Sequence, residues 1–205
     1  MTHSPATLPL LLVLLALLAL LVLLVEMRVL TYAYRKVGVH PRYAFGVMLL
    51  SLLGSQVNIP IFAVSTRAVA AAHDPTVVAL NVGGALIPIL VSLYLLARTR
   101  MYGRMLIGVA VVAAVVHSLA EVVPGVGIAV PMFVPPLVAA AVALLLAFRR
   151  APPVAYVSGS MGTLIGADLL NLGQIARLGA PVVSIGGAGT FDGVFLTGIL
   201  AGLLA

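Results

Sequence analysis

From Leu8 to Val25 the chain carries an unbroken apolar run of about 18 residues, long enough for a helix to cross the hydrocarbon core of a bilayer. Six further stretches meet the same length rule, at roughly 44–64, 77–97, 105–121, 129–148, 156–177 and 182–204. With 63% hydrophobic and only 8% charged residues, against about 25% charged in a soluble domain, the core has to be built against lipid and other helices. The pattern predicts an all-α, polytopic integral membrane bundle of about seven transmembrane helices.

The bundle is expected to form one transmembrane domain over 1–205, with 1–34 as an N-terminal anchor helix and 35–205 as the core. The segment before Leu8 has no Lys or Arg, and Glu26-Met27-Arg28 is not a small-residue cleavage site, so a retained first helix is expected rather than a signal peptide. Arg28, Arg35, Lys36, Arg42, Arg98, Arg100, Arg104, Arg149 and Arg150 fall in alternate loops, and Arg67 and Arg177 in the others. By the positive-inside rule the N-terminus is outside and the C-terminus inside. The net charge of +6 is thereby read as cytoplasmic loops rather than as a nucleic-acid surface. There is no cysteine, which excludes disulfides and thiolate metal sites, and no tryptophan, so tyrosines such as Tyr32, Tyr43 and Tyr102 take the interfacial places.

Asp168 and Asp192 each lie inside an apolar segment. A carboxylate at that depth costs about 2.5–3.5 kcal/mol even on the lenient insertion scale, so a polar site has to offset it. If helices run to Arg177 and from Val182, the two carboxylates lie about 14 and 15 Å from the outer end, on adjacent antiparallel helices. They are expected to face each other, with one held protonated at neutral pH by the other. Gly159, Gly162, Gly166, Gly186, Gly187 and Gly189 would let those helices approach closely. Asn58, Gln56, Asn81, Asn171, Thr190 and Thr197 are the neutral groups available as ligands. Gln56 and Asn58 need partners in a dry interior, and Gly83, Gly84 and Ala85 ahead of a kinking Pro88 allow close contact in the third segment.

His117 and Glu121, spaced i and i+4, together with His73 and Asp74, make the one outer-side metal constellation to weigh; an interfacial ion pair is the better reading, and neither metal nor cofactor is expected. Pro124, Pro131, Pro135 and Pro136, with Gly125 and Gly127, argue against regular helix before about Pro136, and such a stretch at membrane depth has to be buried or line a cavity. An internal repeat is also visible. L52-L-G-S-Q-V-N is matched by L164-I-G-A-D-L-L-N, and V82-G-G-A by I185-G-G-A, in the same membrane sense, with Gln56 the neutral counterpart of Asp168.

With N58-I-P, N81-V-G-G-A-L-I-P and P124-G-V-G-I-A-V-P-M-F-V-P-P-L, the stretches S158-G-S-M-G-T-L-I-G-A-D-L-L-N-L and S184-I-G-G-A-G-T-F-D-G-V-F-L-T-G resemble an uncharacterised bacterial and archaeal membrane-protein family, the domain-of-unknown-function family 1614, over about 35–205. The resemblance implies a multi-pass protein of the prokaryotic cytoplasmic membrane and brings no activity with it. A looser likeness is to presenilin-type intramembrane aspartyl proteases, which place one catalytic aspartate on each of two helices. G187-A-G-T-F-D departs from their Gly-x-Gly-Asp motif by two residues, Asp168 follows no tyrosine, and there is no Pro-Ala-Leu.

Three readings of the site follow. Asp168 and Asp192 bind a proton or cation in a small-solute or ion-coupled carrier, for which a homodimer is expected because the bundle is small. Alternatively they form a hydrolytic dyad, or a buried pair that only locks helices.

Overall fold

The computed structural model describes residues 7–64, 76–123, 127–177, 181–187 and 193–205. Among them are seven α-helices, two short sheets, and π and 3-10 segments where helices break off. The fold is a helical, membrane-type bundle. Four stretches are long and apolar enough to cross a membrane, Leu11–Val37, Val82–Thr99, Tyr102–Leu119 and Val134–Gln174, and the apolar helices Arg42–Gly54 and Gly193–Leu204 are shorter.

Helix α1, Thr7–Val37, continues well past the apolar run Leu8–Val25, three residues beyond the expected 1–34 anchor, and is about 46 Å long. Arg28, Arg35 and Lys36 therefore sit on the helix rather than in a loop. Arg35 and Lys36 occupy its last turn, where positive charge complements the helix dipole. Its leucine-rich first part is exposed, as a lipid-facing surface should be.

Helix α2, Pro41–Gly54, starts with a proline in its first turn and with the His40 side chain accepting from the Arg42 N–H. The second segment, expected to be helical to 64, stops being so at Gly54. Residues Asn58–Val64 form strand β1 instead, antiparallel to β2, Thr76–Asn81. Pro60 has no N–H to give a helix, and the flanking Val57, Ile59 and Ile61 favour extended backbone. The ladder shifts register between Pro60 and Phe62. The third segment, expected as helix from 77, likewise opens as β2, passes through a π-helical turn at Val82–Leu86, and becomes helix α3 over Ile87–Thr99. Pro88 sits in the first turn of α3, directly after the π-helical turn.

Helices α4, Tyr102–Leu119, and α5, Val134–Ala147, lie close to the expected fourth and fifth segments. Between them Glu121–Val123 (β3) and Gly127–Ala129 (β4) pair antiparallel, with Glu121 opposite Ala129. Regular helix resumes only at Val134, as the proline spacing predicts; Pro124 and Gly125 lie outside the described residues. A 3-10 turn, Phe148–Arg150, joins α5 to α6, Ala151–Thr163.

Ten of the 13 residues of α6 are buried, which makes it the central helix, enclosed by α4, α5 and a last helix α7, Gly193–Leu204. Beyond Thr163 the sixth segment reaches Arg177 but not as α-helix: Leu164–Asp168 is π-helical and Leu169–Arg177 is 3-10. The seventh segment is not helical from 182. Val182–Ile185 is strand β5, parallel to β2 with Val77 opposite Val182 and Leu80 opposite Ile185. A β-branched pair starts the strand, and Gly186 and Gly187, at φ 85° and 77°, end it. The depth arithmetic for both aspartates assumed α-helical rise on each side and no longer applies.

The two ends of the bundle differ. Short turns join α1 to α2, α3 to α4 and α5 to α6 at one end. The Arg98 guanidinium donates to the Gly38 carbonyl there, and Lys36 Nζ donates to the Leu203 carbonyl at 2.7 Å, bringing in the end of α7. Arg35, Lys36, Arg42, Arg98, Arg100, Arg104, Arg149 and Arg150 gather at this end. The strands and the π-helical breaks lie at the other.

Candidate functional site

The polar groups of the broken end converge where β2 and β5 run out side by side. Asn81, fully buried, ends β2 and caps the π-helical turn: its side-chain oxygen accepts from the Gly84 N–H at 2.7 Å. Its amide nitrogen donates to the Ser55 carbonyl at 2.8 Å and to Asn58 Oδ1 at 3.0 Å. Asn58 Oδ1 accepts a second hydrogen bond, from Ser184 Oγ at 2.6 Å. One amide oxygen on β1 thus joins side chains from both parallel strands.

Asp168 closes the cluster from the α6 side. It ends the π-helical segment, half-buried, and its Oδ2 accepts from the Gly186 N–H at 2.7 Å. Gly186 can be nothing larger. Besides its positive φ, a Cβ there would come within 2.6 Å of the Ala85 backbone nitrogen and 2.7 Å of the Gly84 carbonyl carbon. The chain of contact therefore runs from Asp168 to Gly186, onto Gly84 and Ala85, and through the Gly84 N–H to Asn81. On the far side Gly83 presses its backbone onto the last turn of α2, where Ser51 Oγ donates to the Gly83 carbonyl at 2.7 Å.

A cavity of about 80 Å³ opens beside this cluster between α1, α2, the π-helical turn and α7. Glu26, Met48, Ser51, Ser55, Gly84 and Phe195 are among its lining residues. Its lining is mostly apolar, with Glu26, Ser51 and Ser55 as the polar side chains on it.

Of the residues expected from sequence, Asp168, Asn58 and Asn81 share this centre. Asn171 does not reach into it: its amide donates to the Gly166 and Ala167 carbonyls, which the helix break frees, and its oxygen accepts from Gln174. Gln56 is exposed after the end of α2. Thr197 is buried against Gly159, deep between α6 and α7. Gly162 and Gly166 serve the packing of α6 on α4, against Val112 and Ala113, rather than an approach of α6 to α7; Gly159 makes that approach. Asp192, Thr190 and Gly189 lie outside the described residues.

His117 and Glu121 do not share a helix face, because α4 ends at Leu119 and Ala120 is extended. Both are exposed, and their suggested companions His73 and Asp74 lie outside the described residues. Among the described residues no group of three His, Asp or Glu could hold a metal ion.

Sequence reasoning missed Ser184, Ser55 and Glu26. The repeat carried the signal for Ser184, since it precedes I185-G-G-A as Asn81 precedes V82-G-G-A. The two copies meet on the same Asn58 oxygen, and both run in one sense, from helix to parallel strand to glycine pair to helix.

These features define a helical membrane protein whose interrupted helices enclose a buried polar centre. The family model described as "Protein of unknown function (DUF1614)" matches residues 20–204, and the chain belongs to that family. The match begins within α1, upstream of the motifs that carry the resemblance in the sequence. No curated protein and no solved structure matches the chain.

Proposed function

We propose that the protein is a small-solute or proton/cation-coupled membrane carrier whose binding centre is formed by Asp168, Asn58, Asn81, Ser184 and the Gly84–Gly186 backbone contact. The observation behind this reading is a carboxylate at a helix break, held by the backbone of a second break. Interrupted helices around a polar centre are how carriers expose backbone and side-chain ligands at membrane depth. Glu26 supplies a second acid at the cavity, about 16 Å along α1 from its Val37 end.

In this reading the chain crosses the prokaryotic cytoplasmic membrane seven times. Its basic end faces the cytoplasm and its N-terminus the outside, because eight arginines and lysines gather at one end. Single cysteines at Thr2 and Arg149 should label from opposite sides; labelling from the same side rejects this topology. For the site, the full chain is reconstituted on a solid-supported membrane and given proton, sodium and potassium concentration jumps. A charge displacement for one of these cations that Asp168→Asn abolishes supports the reading. Equal responses from wild type and D168N reject it and leave Asp168 as a lock between helix breaks.

A further inference from the structure

Below Asp168, α6 carries a row of hydroxyls that the polar centre does not use. Tyr156, Ser160 and Thr163 are spaced i, i+4 and i+7, which places them on one helix face. An unbroken α-helix would carry Asp168 off that face. The π-helical segment Leu164–Asp168 bonds i to i+5, so Asp168 comes round about one turn above Thr163 and rejoins the row. The fourth hydroxyl, Tyr34, enters from α1, with its ring centre 6.3 Å from that of Tyr156.

All four side chains are nine-tenths buried or more: Tyr34 and Ser160 at 0% exposure, Tyr156 at 1% and Thr163 at 5%. The Tyr156 hydroxyl lies within hydrogen-bonding reach of the Tyr34 and Ser160 hydroxyls, and Thr163 Oγ1 has no partner among the described residues. Leaving the Thr163 hydroxyl unpaired away from water is costly, so this step of the row asks for water. The α7 wall beside Tyr156 and Ser160 is Gly198, where a Cβ would collide with the Ser160 hydroxyl and come within 3.1 Å of the Tyr156 ring. The row starts near the basic end, since Tyr156 is about 7.5 Å from the start of α6, and it runs on through the π-helical turn to Asp168. Around it, α5 and the described part of α7 carry no titratable residue, and Tyr94 and Arg98 of α3 and His117 of α4 are exposed.

We propose that Tyr34, Tyr156, Ser160 and Thr163, with water between them, form a proton path from the basic end of the bundle to Asp168. Each hydroxyl accepts one proton and releases another, so the relay is unchanged and the net step is protonation of the Asp168 carboxylate. The proposal rests on Asp168 being the coupling group and adds the route by which its proton arrives.

The test is a pH drop on the full chain in lipid nanodiscs, followed by time-resolved infrared detection of the protonated carboxyl. Asp168→Asn identifies the Asp168 band. With Tyr156→Phe, Ser160→Ala or Thr163→Val the final band should be unchanged but should appear on the order of 100-fold more slowly, the low end of what a positioned proton donor contributes. Thr163→Ser, which keeps the hydroxyl, should restore the wild-type rate. A titrating Asp168 band whose rate none of the three deletions alters overturns the path and leaves the site reading intact. A Thr163→Ser rate as slow as that of Thr163→Val overturns it too, because packing and not the hydroxyl then sets the rate. If D168N removes no carboxyl band, the coupling role of Asp168 falls, and the path falls with it.

Discussion

The two ends of the bundle solve the same problem in opposite ways. At the basic end helices run to completion, turns are short, and leftover carbonyls are met by long cationic side chains: Lys36 on Leu203 and Arg98 on Gly38. These interactions sit at helix termini, where the dipole favours them. At the other end helices stop early, and their freed backbone groups turn to strands, to the Asn81 and Asn171 amides and to Asp168. A chain built only to cross lipid has no use for the second arrangement, because irregular backbone at membrane depth has to be enclosed by protein or reached by water. In the proposed reading the basic end is scaffold and address. The broken end brings neutral amides and the Asp168 carboxylate together where backbone is also available, the composition the proposed binding centre needs.

The comparison is tested most severely by Asp168→Asn. The amide can still accept from Gly186, so the fold should hold in circular dichroism and in thermal unfolding. Cation-dependent charge displacement should drop by on the order of 100-fold or more, as expected when a group that carries the proton is removed. Retained displacement would reduce the broken end to scaffold as well. Next in size is Asn81→Ala. It strands the Gly84 N–H and takes the amide donor from the Ser55 carbonyl and Asn58, at about 1–3 kcal/mol for each buried group left unpaired. The melting temperature should fall clearly, and a neutral result would show that the amide network is not what holds the helix breaks.

How much of this could be read from the residues depends on which force sets each feature. Apolar length alone locates α4 and α5, and proline chemistry alone forbids helix before Val134. Asp168, Asn58 and Asn81 stand out because polar groups in apolar segments need partners; the two asparagines bond each other, and Asp168 bonds the Gly186 N–H. The strands were not legible. Val77-Val78 and Val182-Val183 are equally good in a buried helix, and only the parallel pairing of two distant segments decides for extended backbone. The partners of the glycines were hidden for the same reason. G-x-x-x-G spacing from Gly162 to Gly166 announces a close contact but not which helix makes it, and the contact is with α4. Glu26 was passed over as the end of an apolar run, because nothing in the sequence says which helices pack beside it within the expected anchor helix.

Gly162→Ala sharpens the comparison from the middle of the bundle. An added methyl would lie 2.6 Å from Val112 Cβ and 3.2 Å from the Ala113 nitrogen, so α4 has to move away from α6. Overpacking of this kind costs about 1–3 kcal/mol, and thermal unfolding should report it without loss of charge displacement at temperatures where the protein is folded. Loss of displacement in a folded Gly162→Ala would mean that α4 shapes the site as well as supporting α6.

The smallest effect belongs to Lys36→Met. Methionine keeps most of the apolar stem of the half-buried lysine and removes only the charge and the hydrogen bond to the Leu203 carbonyl. A cation at a helix C-terminus contributes about 0.3–1 kcal/mol, and that carbonyl lies at the end of α7, where solvent or the headgroup layer can replace the lost donor. The melting temperature should therefore shift by less than for Asn81→Ala, and the charge displacement should keep its size. The ordering of the two variants carries the comparison. Both remove a donor from a backbone carbonyl, but Ser55 lies among buried groups with Asn81 as its donor, whereas Leu203 sits at an open helix end. If Lys36→Met destabilised the protein as much as Asn81→Ala, the basic end would hold the bundle together as strongly as the buried amides do, and the division into a simple scaffold and a specialised polar centre would fail.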